Sequence, residues 1–172
     1  MEVNGTIALA INMTGTKTLD LSTASDAFSN PSQSTTITDG AGASKAEVQF
    51  HDQISIADAG SAVIVLDSAL SIAGTPVFDA FGDGHDLSKV KALLIQNLSA
   101  DATLLVGNTA ANPFWLTSTN VIPIPPGGRM FIECHTAAGI PVDATHSDLL
   151  LTHDGTGASA MLVNIWILAE ET

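Results

Sequence analysis

The histidines are the residues of this 172-residue chain best suited to chemistry, because three of the five are followed directly by aspartate. The three pairs are His51-Asp52, His85-Asp86 and His153-Asp154. A carboxylate that orients an imidazole forms half of a catalytic triad. The first pair lies in an alternating strand pattern, where neighbouring side chains point to opposite faces, and the other two lie in turns. The sequence contains no Gly-x-Ser-x-Gly, HExxH or CxxC motif, so we predict a protein that is not an enzyme, with no catalytic residue. A hydrolase built from scattered residues is the weaker alternative.

The acidic loop 79–86 suggests a second kind of chemistry, the binding of a metal ion. Its residues Asp79, Asp83 and Asp86 would supply three carboxylates, and calcium prefers such oxygen ligands. Their spacing departs from the calcium-loop motif, which needs acidic residues at alternate positions and a later glutamate. We therefore expect these aspartates to cap backbone amides in a polar turn, and we predict neither a metal nor a cofactor.

Aromatic residues make up only 5% of the chain, and tyrosine is absent. Proteins that bind sugars usually present tryptophan or tyrosine faces on loops. Phe114 and Trp115 follow a proline in a loop and are the exposed-looking pair, whereas Trp166 lies in the last apolar segment and is predicted to be in the core. Phe114 and Trp115 are therefore predicted to bind a protein or carbohydrate partner. The alternative is that their loop folds back as a plug over one end of the domain.

The charge of the chain is strongly acidic, with 18 acidic residues against five basic ones and a net charge of −13. Binding to nucleic acid is not expected, because it needs a basic patch that releases counterions. Anionic membranes are disfavoured for the same reason, and no apolar run is long enough to span a bilayer. Cys134 is the single cysteine, is predicted to be a small buried hydrophobe, and can form no intrachain disulfide. We therefore expect synthesis and folding in a cytoplasm.

The spacing of apolar residues predicts strands throughout. Charged residues make up 13% of the chain, about half the usual share of roughly 25%, and the charged faces typical of helices are missing. Nine or ten short strands separated by turns predict an all-β fold, an antiparallel β-sandwich of jelly-roll-like form. The segments 98–102 and 153–157 are predicted to be hairpin connections between neighbouring strands.

Two regions differ in character. Residues 1–45 contain a Ser/Thr/Asn/Gly tract from 22 to 44 and are predicted to form an extended N-terminal arm or an edge hairpin that packs on a neighbour. Within this region, residues 17–21 alternate as a half-buried strand would. Residues 46–172 carry the stronger strand patterns and are predicted to form the β-sandwich domain.

An ordered set of short motifs covers about three-quarters of the chain, from Ala46 to Ala169. In order, the motifs are Phe50-His51-Asp52, Phe78-Asp79-Ala80-Phe81-Gly82, residues 90–98, Leu105-Val106-Gly107, Asn112-Pro113-Phe114, Pro126-Gly127-Gly128, residues 139–142 and residues 147–150. This set resembles a family of tailed-bacteriophage virion proteins, the small β-sandwich modules of the capsid decoration (cement) type.

The resemblance implies a structural protein of the virion. Proteins of this type bind the outer surface of the capsid, commonly as homotrimers, and bridge neighbouring copies of the major capsid protein to stabilise the head. We therefore expect a protein that is made in the host cytoplasm and lies on the capsid surface, with the major capsid protein and its own copies as partners. The alternative function is a tail, fibre or baseplate component that binds a glycan through Phe114 and Trp115. Unrelated secreted or lectin-like β-sandwiches remain a further alternative.

Overall fold

A computed structural model describes residues 2–18, 23–107, 110–117, 119–157 and 159–172. Every regular secondary-structure element in these ranges is a β-strand. The strands are β1 (Gly5–Thr18), β2 (Thr23–Asp39), β3 (Lys45–Ala46), β4 (Val48–Ile56), β5 (Ser61–Val65), β6 (Ser71–Ile72), β7 (Thr75–Pro76), β8 (Leu87–Asn97), β9 (Leu104–Gly107), β10 (Val121–Ile124), β11 (Arg129–Glu133), β12 (Ile140–Pro141), β13 (Asp148–His153) and β14 (Met161–Glu171). The all-β prediction is confirmed. The count of fourteen exceeds the predicted nine or ten because β3, β6, β7 and β12 are only two residues long, too short to show an alternating pattern.

Two antiparallel sheets contain most of the strands. A six-stranded sheet has the order β10-β9-β13-β5-β6-β7, and a five-stranded sheet has the order β11-β8-β14-β4 with β12 also on β8. The long strands of the second sheet alternate in burial, most clearly β4 and β14, so that one face of the sheet points inward and the other outward.

The chain changes sheet at almost every connection between long strands. The predicted hairpins at 98–102 and 153–157 are therefore wrong, because β8 and β9 belong to different sheets and so do β13 and β14. In the observed pairing β8 lies between β11 and β14, and β13 lies between β9 and β5. A turn sequence reverses the chain direction, but it does not determine which sheet the next strand joins.

The inner faces of both sheets form one continuous hydrophobic core. Phe50 on β4, Ile95 on β8 and Ile165 on β14 come from the five-stranded sheet, and Ile64 on β5 and Leu151 on β13 come from the six-stranded sheet. Each of these side chains is almost completely buried. Burial of this apolar area holds the two sheets together, and burying each such side chain is worth roughly 1.5–3 kcal/mol.

The N-terminal strands β1 and β2 form a long antiparallel hairpin. Its pairing runs from Gly5 opposite Ile37 to Thr18 opposite Thr23, and β2 then makes a two-residue parallel contact with β3. Residues 23–39, which belong to the Ser/Thr/Asn/Gly tract, thus form a strand. A Thr-rich segment can take this form because threonine is β-branched and the ladder hydrogen bonds need no apolar side chain. Residues 19–21 of the strand predicted over 17–21 lie outside the described residues.

Two residues predicted to be in the core lie elsewhere. Trp166 is 37% exposed, because it shares the outward phase of β14 with Leu162, whereas Ile165 points inward. Cys134 follows the end of β11 and is half-buried, with its Sγ 3.4 Å from Thr136 Oγ1. In both cases the local sequence is apolar enough to suggest burial, but the neighbouring elements leave the position partly open.

Candidate interaction surface

The outward face of the five-stranded sheet carries an apolar row that crosses three strands. Phe131 on β11 pairs with Leu94 on β8, and Leu94 pairs with Trp166 on β14. His51 on β4 lies opposite Trp166 at the end of the row. Cβ atoms of directly opposite residues are about 4.5–5.5 Å apart, so these side chains form a continuous stripe. The name apolar row is used below for Phe131, Leu94 and Trp166.

The apolar row is open to solvent. Phe131 is 40% exposed and Trp166 is 37% exposed, and Leu162 on the same face of β14 is 43% exposed. A groove of about 210 Å³ lies along the row, lined by Ile7, Gln49, Phe50, Ala92, Leu94, Phe131, Trp166, Ile167 and Leu168. Exposed apolar side chains gathered on one face mark an interaction site, whereas single scattered ones do not.

A row of polar residues lies beside the apolar row, on the side away from Leu168. Arg129 pairs with Gln96, Gln96 with Asn164, and Asn164 with Gln53. The Gln53 side-chain amide donates a hydrogen bond of 2.9 Å to Asn164 Oδ1. The apolar row therefore has a polar rim on this side, as protein interfaces commonly have.

The hairpin root, the end of the N-terminal hairpin where Gly5 pairs with Ile37, covers the outward face on the other side of the apolar row. Val3, Ile37 and Ala46 are buried together in a second, smaller hydrophobic cluster. Ile7 on β1 and Leu168 on β14 pack against this cluster. The hairpin root thus sits over the Leu168 end of the outward face, directly beside the open groove.

A buried ionic network holds the connection after β2 in place. Lys91 is completely buried, and its Nζ donates to Gly42 O at 3.1 Å, to Thr136 O at 2.8 Å and to Glu170 Oε1 at 2.8 Å. Glu170 Oε1 also accepts the Gly42 amide at 2.6 Å, and Glu170 Oε2 accepts Lys89 Nζ at 2.7 Å. Each charge therefore has an opposite charge and further hydrogen bonds, which a buried ion pair requires.

The state of Glu170 follows from this network. Burial opposes its charged form, but hydrogen bonds from Lys89, Lys91 and the Gly42 amide outweigh that cost and lower its pKa to about 2. The network joins four elements: the turn after β2, strand β8, the segment after β11 and strand β14. Sequence reasoning missed it, although a lysine inside the apolar run 90–95 was an available signal.

A second cluster of ionisable side chains centres on the buried His85. Its Nε2 lies 3.2 Å from Asp79 Oδ2, and its Nδ1 lies 2.7 Å from Glu171 Oε1. Desolvation lowers the pKa of His85, but the hydrogen bonds to Glu171 and Asp79 outweigh it and raise the pKa above its ordinary value. Both ring nitrogens can donate to carboxylates only when the ring is protonated, so this arrangement favours the imidazolium form of His85.

The candidate metal ligands Asp79 and Asp86 form hydrogen bonds with backbone amides. Asp79 Oδ1 accepts the amides of Phe81 at 2.8 Å and Asp83 at 2.9 Å, and the Asp83 amide bond is the main cause of its lowered pKa. Asp86 Oδ1 accepts the Ser68 amide at 2.6 Å. Asp79 and Asp86 thus cap backbone amides, as the turn sequence suggests. Within the described ranges, no group of three or more His, Cys, Asp or Glu side chains is placed to hold a metal ion.

The other two histidine–aspartate pairs are also explained by their surroundings. His153 is buried, its Nδ1 accepts the Gly155 amide at 3.0 Å, and its Nε2 faces Ser159 O at 3.1 Å. Both ring nitrogens are thus engaged by backbone groups of the segment that follows β13. His51 and Asp52 are both exposed on β4. His153 therefore positions the turn after β13, and His51 belongs to the outward face.

Phe114 and Trp115 lie against the core. The exposure expected for Phe114 is wrong, because its side chain is 1% exposed and its amide donates to Asp148 O at 2.9 Å. Trp115 is half-buried on the same core, with its ring edge-to-face to Phe114 at a centroid distance of 5.0 Å. The loop thus folds back onto the domain, and the sequence could not show this because turn residues do not report where a loop packs. Partner binding through this pair stays a prediction, for which only the exposed part of Trp115 is available.

Comparison with known proteins gives no relative of this chain. No protein-family model matches it, and neither a curated protein nor a solved structure matches it significantly. In the part of the chain that the structure describes, no helix is long and apolar enough to cross a membrane. The function is therefore inferred from the contacts and surfaces described above.

Proposed function

We propose that the two sheets form a jelly-roll β-sandwich and that the protein is a phage capsid decoration (cement) protein. The strand order supports the jelly roll. The five-stranded sheet contains β4, β8, β11 and β14, and the six-stranded sheet contains β5, β9, β10 and β13. The chain thus crosses between sheets at most of its connections, which is how two packed Greek keys are built. A sandwich of this kind is a rigid support for surfaces that bind other proteins.

The observation that carries the functional proposal is the length of the hairpin combined with its firm attachment. Strands β1 and β2 have 14 and 17 residues. At ~3.3 Å per residue the hairpin measures about 45 Å, whereas a compact domain of the size of residues 46–172 is about 35 Å across. A hairpin that is longer than its own domain and is clamped at its root can act as an extended N-terminal arm, and it can bridge two neighbouring subunits.

The proposed partner is the major capsid protein on the outer surface of the shell, and the proposed assembly is a homotrimer. Such a protein stabilises the head by connecting capsid subunits that it does not chemically alter. The net charge of −13 is compatible with a position outside the shell, because phosphate groups of packaged nucleic acid would repel it.

Co-sedimentation tests the proposal. Purified protein is mixed with expanded capsids of the same phage, with unexpanded capsids and with free capsid subunits. We expect saturable binding to expanded capsids and a rise in the temperature at which those capsids release their nucleic acid. Failure to pellet with expanded capsids would refute the proposal. Localisation on the tail by electron microscopy would instead favour the tail, fibre or baseplate alternative.

A further inference from the structure

We infer that the apolar row is the surface through which the chain binds a second copy of itself, and that the second copy's N-terminal hairpin is the element that covers it. The row consists of Phe131, Leu94 and Trp166 on the outward face of the five-stranded sheet. This inference names the contact surface for the self-association proposed above and rests on that part of the proposed function, but it does not depend on binding to the capsid.

Continuity with an existing contact favours the hairpin as the occupant. In one copy the hairpin root already packs on this face, where Ile7 and Leu168 close over Val3 and Ile37. Ile7 also lines the groove along the row. The face is therefore already matched to the hairpin at one end, and the side that remains open is the one that carries Trp166.

The hairpin itself needs a surface to lie on. Among the described residues β1 pairs with β2 alone, and β2 pairs beyond it only with the two residues of β3. A two-stranded hairpin is at best marginally stable in water and needs packing against another element. The sequence of β1 is apolar at every position from Ile7 to Ile11, a run that is typical of a strand covered by other parts of a protein. A neighbouring copy supplies a matching surface.

The available area also points to a combined contact. Four strands spaced ~4.8 Å apart and about 25 Å long present roughly 500 Å² of outward face. A stable interface buries about 800 Å² on each partner. The side of a hairpin, about 10 Å by 30 Å, covers roughly 300 Å² of such a face. If two copies exchange hairpins, each copy buries about 300 Å² on its face and about 300 Å² on its hairpin, which reaches the lower end of the usual total of about 1,200 Å².

Charge gives the test a way to distinguish a second copy from a basic partner at this surface. Each copy carries −13, so two copies repel each other except where the facing surfaces are neutral. The three residues of the apolar row are uncharged, and Arg129 and Glu133 lie in the two rows on either side of it. Association through this row should strengthen as salt screens the repulsion, whereas binding of a basic partner should weaken.

Sedimentation velocity over a range of concentrations and salt tests the inference on the intact chain. We expect a mass above that of the 17.6 kDa monomer, with association increasing between low and high salt. Phe131→Ser and Trp166→Ser should each raise the dissociation constant at least tenfold. The matched control is Phe81→Ser, since Phe81 is 74% exposed in a loop outside the row. A monomer at all concentrations, or variants that associate as well as the wild type, would overturn the inference.

A second measurement identifies the buried face even if a variant folds poorly. In Trp115→Phe the remaining tryptophan is Trp166, and its quenching by acrylamide reports its exposure. We expect quenching to fall as protein concentration rises. Protection that is independent of concentration would mean that the chain's own hairpin covers the row, and unchanged exposure upon association would place the contact elsewhere. Either result overturns the inference, and neither bears on capsid binding, which co-sedimentation tests separately.

Discussion

Lys91 and Glu170 form an ion pair inside the protein, with Nζ and Oε1 2.8 Å apart and side chains that are 0% and 3% exposed. The pair connects β8 to β14 and, through Gly42, fixes the turn that leads out of the N-terminal hairpin. A buried ion pair of this kind contributes little net stability compared with apolar residues, but loss of one partner leaves an uncompensated charge. The orientation of the hairpin root therefore depends on this pair.

Replacement of Lys91 by methionine is expected to lower the free energy of unfolding by about 3–5 kcal/mol, because Glu170 loses its most deeply buried partner. Chemical denaturation measures the change, and hydrogen exchange at the Gly42 amide should accelerate. The control is Lys45→Met, which alters an exposed lysine on β3. Equal stabilities of the two variants would contradict the structural role of Lys91.

Acidification should remove the contribution of Glu170 to the free energy of unfolding. Its pKa is lowered from 4.5 to about 2, so the folded state favours the ionised form and the associated stability is complete above pH 4.5. This stability is lost as the pH falls from 4.5 toward 2. Glu170→Gln should therefore differ most from the wild type at neutral pH, and the difference should shrink on acidification. Denaturation curves at several pH values check this, with the exposed Glu2→Gln as control. A difference that stays constant down to pH 2 would be inconsistent with the ion pair.

Alkaline conditions should weaken the cluster around His85. Its pKa is raised above the ordinary 6.5, so its contribution to stability is complete below pH 6.5 and is lost as the pH rises through the higher folded value. Asp79, whose pKa is lowered, stays ionised through this window and contributes an opposite dependence only in acid.

His85→Gln tests this dependence, because glutamine cannot become charged. The wild type should lose its advantage over the variant as the pH rises, and titration of the imidazole by NMR should show the raised pKa directly. His146→Gln serves as control, since His146 is exposed. A stability difference between His85→Gln and wild type that does not change with pH would show that His85 is held without its charge.

Truncation of Phe114 is expected to destabilise the fold by about 3–5 kcal/mol, the usual cost of replacing a buried phenylalanine by alanine. Phe81→Ala, which removes the same ring from an exposed loop, should change stability by no more than about 0.5 kcal/mol. Thermal or chemical unfolding of both variants measures the contrast. A small effect of Phe114→Ala would mean that the loop carrying Trp115 is detached from the core in solution and available to a partner.

The sequence predicted the strands well where one face is buried. Val48 to Ile56 alternates between apolar and polar residues, Met161 to Ala169 is an almost continuous apolar run, and both segments lie in long strands with alternating burial. This pattern is local, because side chains on a strand alternate with a period of two residues. Trp166 is an odd number of residues away from Val163 and Ile165. The alternation of side chains along β14 could therefore have placed Trp166 on the outward face.

Which strands pair with each other could not be predicted from local sequence patterns. The turns at 98–102 and 153–157 were recognised, but their flanking strands lie in different sheets. The partners of Lys91 and His85 were missed for a related reason. Glu170 is 79 residues from Lys91 and Glu171 is 86 residues from His85, and nothing near either basic residue indicates such distant partners.

The sequence by itself thus determined that the protein is all-β, which segments are strands, that its surface is acidic and that its turns are capped by aspartate. The tertiary structure alone decided which strands pair, that Phe114 is buried while Trp166 and Phe131 meet on an open face, and that the hairpin root is clamped by Lys91 and Glu170. The physical reason is that strand formation follows from the alternation of neighbouring residues, whereas a surface or an ion pair arises from residues that only the packing of two sheets brings together.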